Sequence, residues 1–317
     1  MTGMRSIARG FAGVAVLLVF AAAAVAQEAY PSRAVSIVVP FPPGGGADIL
    51  ARVLGQKLSE TWRQPVLVEN KPGAAGVVGA NGVARSEPDG YTLLMAASGA
   101  IVPANAKDLA PVTLVAAPPY MLLVHSSVPA ASTREFIAYL KARPGQLNFA
   151  SSGVGSASHL SAELFMGVSG TKMTHVPYKG IGQAVTDLVS GQVQVLFGPP
   201  PAVLKQVQAG VLKALAVTGP QRSALWPEIP TVAEGGVPGY DAVGWYGLLA
   251  PAKTPREVVL RIAAEVARAL QVPAVAERLS AVGATPAAGS PEDFARFLEA
   301  DTAKWANLMT KAGITPQ

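Results

Sequence analysis

The chain contains no cysteine among its 317 residues. No disulfide is available to it in an oxidising compartment, and its leader can carry no lipid-anchored cysteine. Charge is also scarce: charged residues make up 14% of the chain and the formal balance is +5. No basic run interleaved with aromatics occurs, so nucleic acid is not an expected partner. The three histidines, His125, His159 and His175, lack metal-site spacing and have no cysteine to help them, so no metal is expected. A Gly-x-Ser-x-Gly nucleophile elbow is missing. After the first thirty residues there is no run of about 20 uncharged apolar residues, which excludes a later membrane-spanning helix.

What is present starts with an export leader. Arg5 and Arg9 form a short positive region, Phe11 to Ala23 an apolar block, and Ala24-Val25-Ala26 a small-residue cleavage site. This order predicts a signal peptide over residues 1–26, cut after Ala26, and a soluble periplasmic protein. Removing Arg5 and Arg9 lowers the formal balance from +5 by 2, to +3. At about 100–200 residues per domain, the length suggests two domains.

Strand-like and helix-like segments alternate. Strands are expected at Ala34–Val39, Pro65–Val68, Tyr91–Ala96, Val112–Val115 and Met121–Val124, with helices at Ala47–Glu60 and Gly73–Ala84. A second run places strands at Leu147–Ala150, Thr174–Val176, Val193–Phe197 and Lys213–Val217. Helices at Ser132–Ala142, Ala157–Val168, Ile181–Ser190 and Pro201–Ala209 accompany them. After a strand-like Trp245–Leu249, three helices close the chain: Arg256–Leu270, Pro273–Ala281 and Pro291–Lys311. Thr254-Pro255-Arg256-Glu257 and Ser290-Pro291-Glu292-Asp293 are helix starts: a cap, a proline, then acid in the first turn. The pattern predicts an α/β fold in which a parallel or mixed sheet covered by helices is built twice. Ligands of such sheets bind where strands end and helices begin.

Three of those loops have binding chemistry. Pro40-Phe41-Pro42-Pro43-Gly44-Gly45-Gly46-Ala47-Asp48 stiffens its approach with prolines, then bares its backbone at three glycines just before a helix. Such a helix mouth presents N–H groups and about half a positive charge, an anion site that needs no side chain. Ser151-Ser152-Gly153-Val154-Gly155-Ser156-Ala157-Ser158-His159 repeats the arrangement and adds hydroxyl donors. Ser158 stands where a dinucleotide fingerprint needs its third glycine, and no cofactor is expected. In His175-Val176-Pro177-Tyr178-Lys179-Gly180, Tyr178 offers an aromatic wall and a hydroxyl, and Lys179 a mobile charge.

Seven segments, in order, resemble the Bug-type substrate-binding proteins of tripartite tricarboxylate transporters. They are Pro40-Phe41 to Asp48, Val68-Glu69-Asn70-Lys71-Pro72-Gly73, Pro88-Asp89-Gly90-Tyr91-Thr92-Leu93, Ala110-Pro111-Val112, Val176-Pro177-Tyr178-Lys179-Gly180, Pro230-Thr231-Val232-Ala233-Glu234 and Gly247-Leu248-Leu249-Ala250-Pro251. The resemblance implies a two-domain, type II-like periplasmic-binding-protein fold, with residues 27–123 plus 247–317 as one domain and 124–246 as the other. It implies a carboxylate held between the lobes by the Phe41–Asp48 loop, facing the Ser151–His159 loop, with the Ala97-Ser98-Gly99 loop bordering the cleft. On this basis the expected ligand residues are Phe41, Pro42, Gly44, Gly45, Gly46, Ala47, Asp48, Ser98, Ser151, Gly153, Gly155, Ser156, Ser158, His159, Tyr178 and Gly198. No catalytic residue is expected.

Two departures from the family pattern bear on the ligand. The segment Ile101 to Leu109 is shorter than in the family. Gly198-Pro199-Pro200-Pro201 also stands where many members carry an acid, so a plain carboxylate is expected in preference to an amino acid. The expected partners are a small organic carboxylate and either permease subunits of a tripartite transporter or a sensor kinase ectodomain, met by a monomer. An exported hydrolase using Ser156 or Ser158 with His159 is the rival reading.

Overall fold

Val35–Val39 is a run of β-branched residues around one serine and forms the first strand, β1, buried on both faces as an interior strand must be. The computed structural model describes residues 30–98, 100–101, 103–281 and 283–313; the leader with its cleavage point, and Gly99, lie outside them. β1 pairs in parallel with β2 (Val66–Asn70) and β3 (Thr92–Ala97). β10 (Tyr246–Pro251) then inserts antiparallel between β3 and β4 (Leu109–Ala116). The resulting five-stranded sheet has the order β2-β1-β3-β10-β4.

The second sheet repeats the plan. β6 (Asn148–Ser151) is parallel to β7 (Thr174–Pro177) and β8 (Val195–Gly198). β5 (Met121–His125) lies antiparallel between β8 and β9 (Leu212–Val217), giving the order β7-β6-β8-β5-β9. The expected mixed sheet, built twice and flanked by helices, is the architecture observed.

Each sheet is sealed by amphipathic helices. Leu50, Leu54 and Leu58 of α1 (Gly46–Trp62) pack on the first sheet. A short helical turn at Ala74–Gly76 leads into α2 (Val77–Ala84), and α3 is the single turn Pro103–Ala106. On the second sheet, Phe136 of α4 (Thr133–Ala142) and Phe165 of α5 (Ala157–Ser169) meet Phe149 and Phe197 in one core. α6 (Ile181–Val189) and α7 (Pro200–Gln208) cover its other face. α8 (Arg256–Leu270) and α9 (Pro273–Ser280) return to the first sheet.

One expected helix is broken. The Gly73–Ala84 segment becomes regular only at Val77, because Ala74, Ala75 and Gly76 are left-handed, with φ of 44°, 52° and 103°. A side chain at Gly76 would lie 2.9 Å from Ala100 Cβ and 3.0 Å from Phe41 Cζ, so the backbone turns where only glycine fits. The turn therefore packs directly under Phe41.

The lobes are joined by two segments running side by side, which meet in an antiparallel bridge between Pro119 and Val243. Gly244 has no side chain because the Tyr120 ring occupies that space. α10 (Pro291–Ala312) is a third link. Phe294 and Leu298 pack with the first sheet, whereas Trp305 belongs to the core of the second. Asp301 stands between these contacts and accepts both indole N–H groups, from Trp245 at 2.7 Å and from Trp305 at 2.8 Å.

Candidate functional site: a cleft between two uncapped helix mouths

The first four N–H groups of a helix have no partner within it, and a side chain usually supplies one. At α1 that help is missing: Gly45 is the N-cap and makes no side-chain hydrogen bond. Gly45, Gly46 and Ala47 instead line a cavity of about 250 Å³ between the lobes. Liquid water takes about 30 Å³ per molecule, so the space matches roughly eight waters, or one small organic acid.

The loop before α1 is held by a network from a neighbouring strand. The Asp48 carboxylate accepts the Gly44 N–H at 3.0 Å, Arg52 Nε at 3.1 Å and Asn70 Nδ2 at 3.0 Å. Asn70 also donates to the Phe41 carbonyl at 3.0 Å, so the end of β2 clamps both sides of the turn. Burial pushes the Asp48 carboxyl up, but the Arg52, Gly44 and Asn70 hydrogen bonds together with the Arg52 charge outweigh it and hold it below the usual carboxylate range. Asp48 and the Gly44 amide are thus committed to shaping the loop. Neither lines the cavity, where both were expected to meet a ligand.

Across the cavity stands the start of α6. Gly180 is its N-cap, again without a side-chain hydrogen bond, and Gly180, Ile181, Gly182 and Gln183 line the space. Contact between the lobes is close: a side-chain carbon at Gly180 would come 2.8 Å from Pro42 Cγ. Lys179, exposed at the rim, is the only charged side chain lining the cavity among the described residues.

The serine-rich loop differs from expectation. Its donors satisfy one another. The Ser156 hydroxyl caps α5, accepting the His159 N–H at 3.4 Å and donating to the Gly153 carbonyl at 2.7 Å. The Ser158 hydroxyl accepts the Ser152 N–H at 3.0 Å, and His159 Nδ1 accepts the Gly155 N–H at 3.0 Å. Ser151, fully buried, bonds His175 Nε2 at 2.6 Å. His175 lies stacked 3.9 Å from the His159 ring, and burial, then the His159 charge, push its pKa down to about 4. Of this loop only Ser152, not among the expected residues, lines the cavity. No hydrogen bond joins Ser156 or Ser158 to the His159 ring among the described residues, so the pair required by the hydrolase reading is not assembled. Ser156→Ala is expected to cost about 1 kcal/mol of stability through the lost cap, read as a lower urea midpoint.

The remaining expected residues divide. Phe41, Pro42, Gly45, Gly46, Ala47 and Ser98 come together around the cavity. Gly153 and Tyr178 border an adjoining hollow with Ala74 and Ala75, and the Tyr178 hydroxyl donates to Asp187 at 2.6 Å. Gly198 is walled off by Leu123, Leu196 and Val203, while its neighbour Pro199 reaches the cavity. Two floor residues were not legible in the sequence. Tyr120 and Tyr246, from the two joining segments, line the cavity at only 7% and 3% exposure.

Comparisons with known proteins agree with this fold. Residues 50–314 match the family described as tripartite tricarboxylate transporter family receptor. BugT of Bordetella pertussis is 37% identical, over 95% of this chain and 96% of that protein. A Rhodopseudomonas palustris protein solved with adipate superimposes with a TM-score of 0.85 at 37% identity, covering 91% of this chain and 100% of that one. MatC from the same species, solved with bound malate, gives 0.82 at 32% identity, covering 88% and 99%.

Proposed function

Because this chain belongs to the tripartite tricarboxylate transporter receptor family, we propose that it captures a small organic carboxylate between the uncapped mouths of α1 and α6. The observation that carries this reading is the pair of helix starts opening on one cleft between the lobes with no side chain capping either. A carboxylate at the Gly45–Ala47 amides would gain charge-assisted hydrogen bonds of about 1.5–3 kcal/mol each. A few of these, less the costs of association, support micromolar capture, near −8 kcal/mol. No acid lines the cavity among the described residues, which favours a plain carboxylate over an amino acid, whose ammonium would lack a counter-charge.

The family consists of periplasmic receptors. In the reading proposed here, residues 1–26 direct export and are removed, the lobes close on the ligand as a monomer, and membrane permease subunits receive it. The two solved relatives hold adipate and malate, so dicarboxylates are the first probes. In a thermal-shift screen, succinate, malate or adipate at 100 times its dissociation constant is expected to add about 2.7 kcal/mol of stability. Aspartate, the amino counterpart of succinate, is expected to add less. A flat response to every carboxylate would overturn the assignment.

A further inference from the structure

Tyr120 and Tyr246 are 126 residues apart in the chain, yet both phenols lie on the cavity floor because the joining segments run together at the Pro119–Val243 bridge. Both side chains are more than nine-tenths buried, and neither hydroxyl has a hydrogen-bond partner among the described residues. Burial pushes both phenols above their ordinary titration range, so each stays a neutral O–H at physiological pH. Neither oxygen is among the fully buried atoms left without a partner, so both face the cavity space, where a ligand oxygen can reach them. The Tyr246 hydroxyl lies against Gly46, where any side-chain carbon would overlap it. It therefore sits beside the amides assigned to the carboxylate.

We propose that Tyr246, with Tyr120, selects acids carrying an oxygen substituent close to the captured carboxylate, such as a hydroxyl or oxo group. This rests on the carboxylate reading above. The apolar walls of Phe41, Pro42, Ala97 and Ile181 would take the carbon chain, the α1 mouth the carboxylate, and the phenols the additional oxygen. A site built to hydrogen-bond a substrate oxygen rejects the analogue lacking it far more strongly than an apolar pocket rejects a missing methylene, because its own donors are then stranded. A neutral phenol suits this role: it donates to a hydroxyl, an oxo group or a carboxylate without demanding a second full charge on the ligand.

Calorimetry on matched pairs tests the proposal: 2-hydroxybutyrate against butyrate, and malate against succinate. The wild-type protein is expected to favour the oxygenated member of each pair at least tenfold. Tyr246→Phe keeps the ring and removes only the hydroxyl; it should cut that preference at least threefold, chiefly by weakening the oxygenated acid. Tyr120→Phe should act in the same direction, and the double variant should bind the two members alike. Unchanged thermal midpoints in the absence of ligand would confirm that the variants fold. Equal wild-type affinities within each pair would overturn the proposal while leaving carboxylate capture intact. So would equal weakening of both members by Tyr246→Phe, which would place the phenol on the carboxylate itself. Failure of all four acids to bind would instead overturn the carboxylate reading.

Discussion

Gly46→Ala is expected to abolish carboxylate capture in a chain that still folds. The substitution is mild for the helix, since Gly46 has no left-handed φ and alanine is the better helix former by about 1 kcal/mol. The obstacle is spatial. The new methyl would overlap the Tyr246 hydroxyl and lie 3.4 Å from Pro201 Cγ on the opposite lobe. Tyr246 opens β10 and is buried, so its ring cannot withdraw without disturbing the strand between β3 and β4. Either the phenol leaves the floor or the α1 mouth retreats from the cavity, and both outcomes separate groups that must reach one ligand. The affinity for malate should fall at least a hundredfold by calorimetry, which is about 2.7 kcal/mol or more. Gly45→Ala is the control. Its methyl would make an ordinary 3.5 Å contact with Ile181 Cγ2, so a change within about threefold is expected. Equal losses in the two variants would mean that disturbance of the loop, and not this one contact, sets affinity.

The contrast between the two glycine-rich loops explains what the sequence makes legible. Alternating apolar periods place strands and helices closely, as with the expected Arg256–Leu270 helix, which is α8 residue for residue. They do so because burial on a sheet face imposes the period. Loop composition is a poorer guide to free donors. Ser151–His159 and Phe41–Asp48 both read as bare amides before a helix, yet side chains of the first consume its amides: the Ser151 hydroxyl accepts the Gly153 N–H and His159 Nδ1 the Gly155 N–H. A capping residue satisfies a helix start, but its absence alone marks no ligand site: α1, α2, α6, α7, α8 and α9 all begin without a side-chain cap. What sets Gly45-Gly46-Ala47 and Gly180-Ile181-Gly182 apart is that the fold opens both on one cavity, which the sequence does not show. Tyr120 and Tyr246 could not be found in the sequence either, because their meeting depends on how the two joining segments pair. Asn70 lies between these cases. It stands in a motif shared with the family, and only the fold shows that the motif serves to clamp the Phe41 carbonyl and Asp48.

That clamp yields the second large effect: Asp48→Ala should lower stability by about 2–3 kcal/mol and loosen the loop that holds the α1 mouth open. The Asp48 side chain is 5% exposed, and both of its oxygens only accept. Removing it leaves one Asn70 donor unmatched and frees the turn at the exposed Gly44, while the half-exposed Arg52 can turn to water. Asp48→Asn should be nearly as damaging, because its amide would point N–H groups at donors whichever way it was turned. The pH dependence follows from the depressed carboxyl. A folded-state pKa below the unfolded value of about 4 gives stability that is complete above that value and lost as pH falls through the folded one. The gap between wild-type and Asp48→Asn urea midpoints should therefore hold from pH 7 to about 5 and narrow below pH 4. If Asp48 acted only as a first-turn acid favouring the helix dipole, the loss would be about 0.3–1 kcal/mol and salt would screen it. A gap of that size, or one that persists unchanged at pH 2.5, would remove Asp48 from the centre of the network and leave the stiffness of the first loop to Pro40, Pro42 and Pro43 alone.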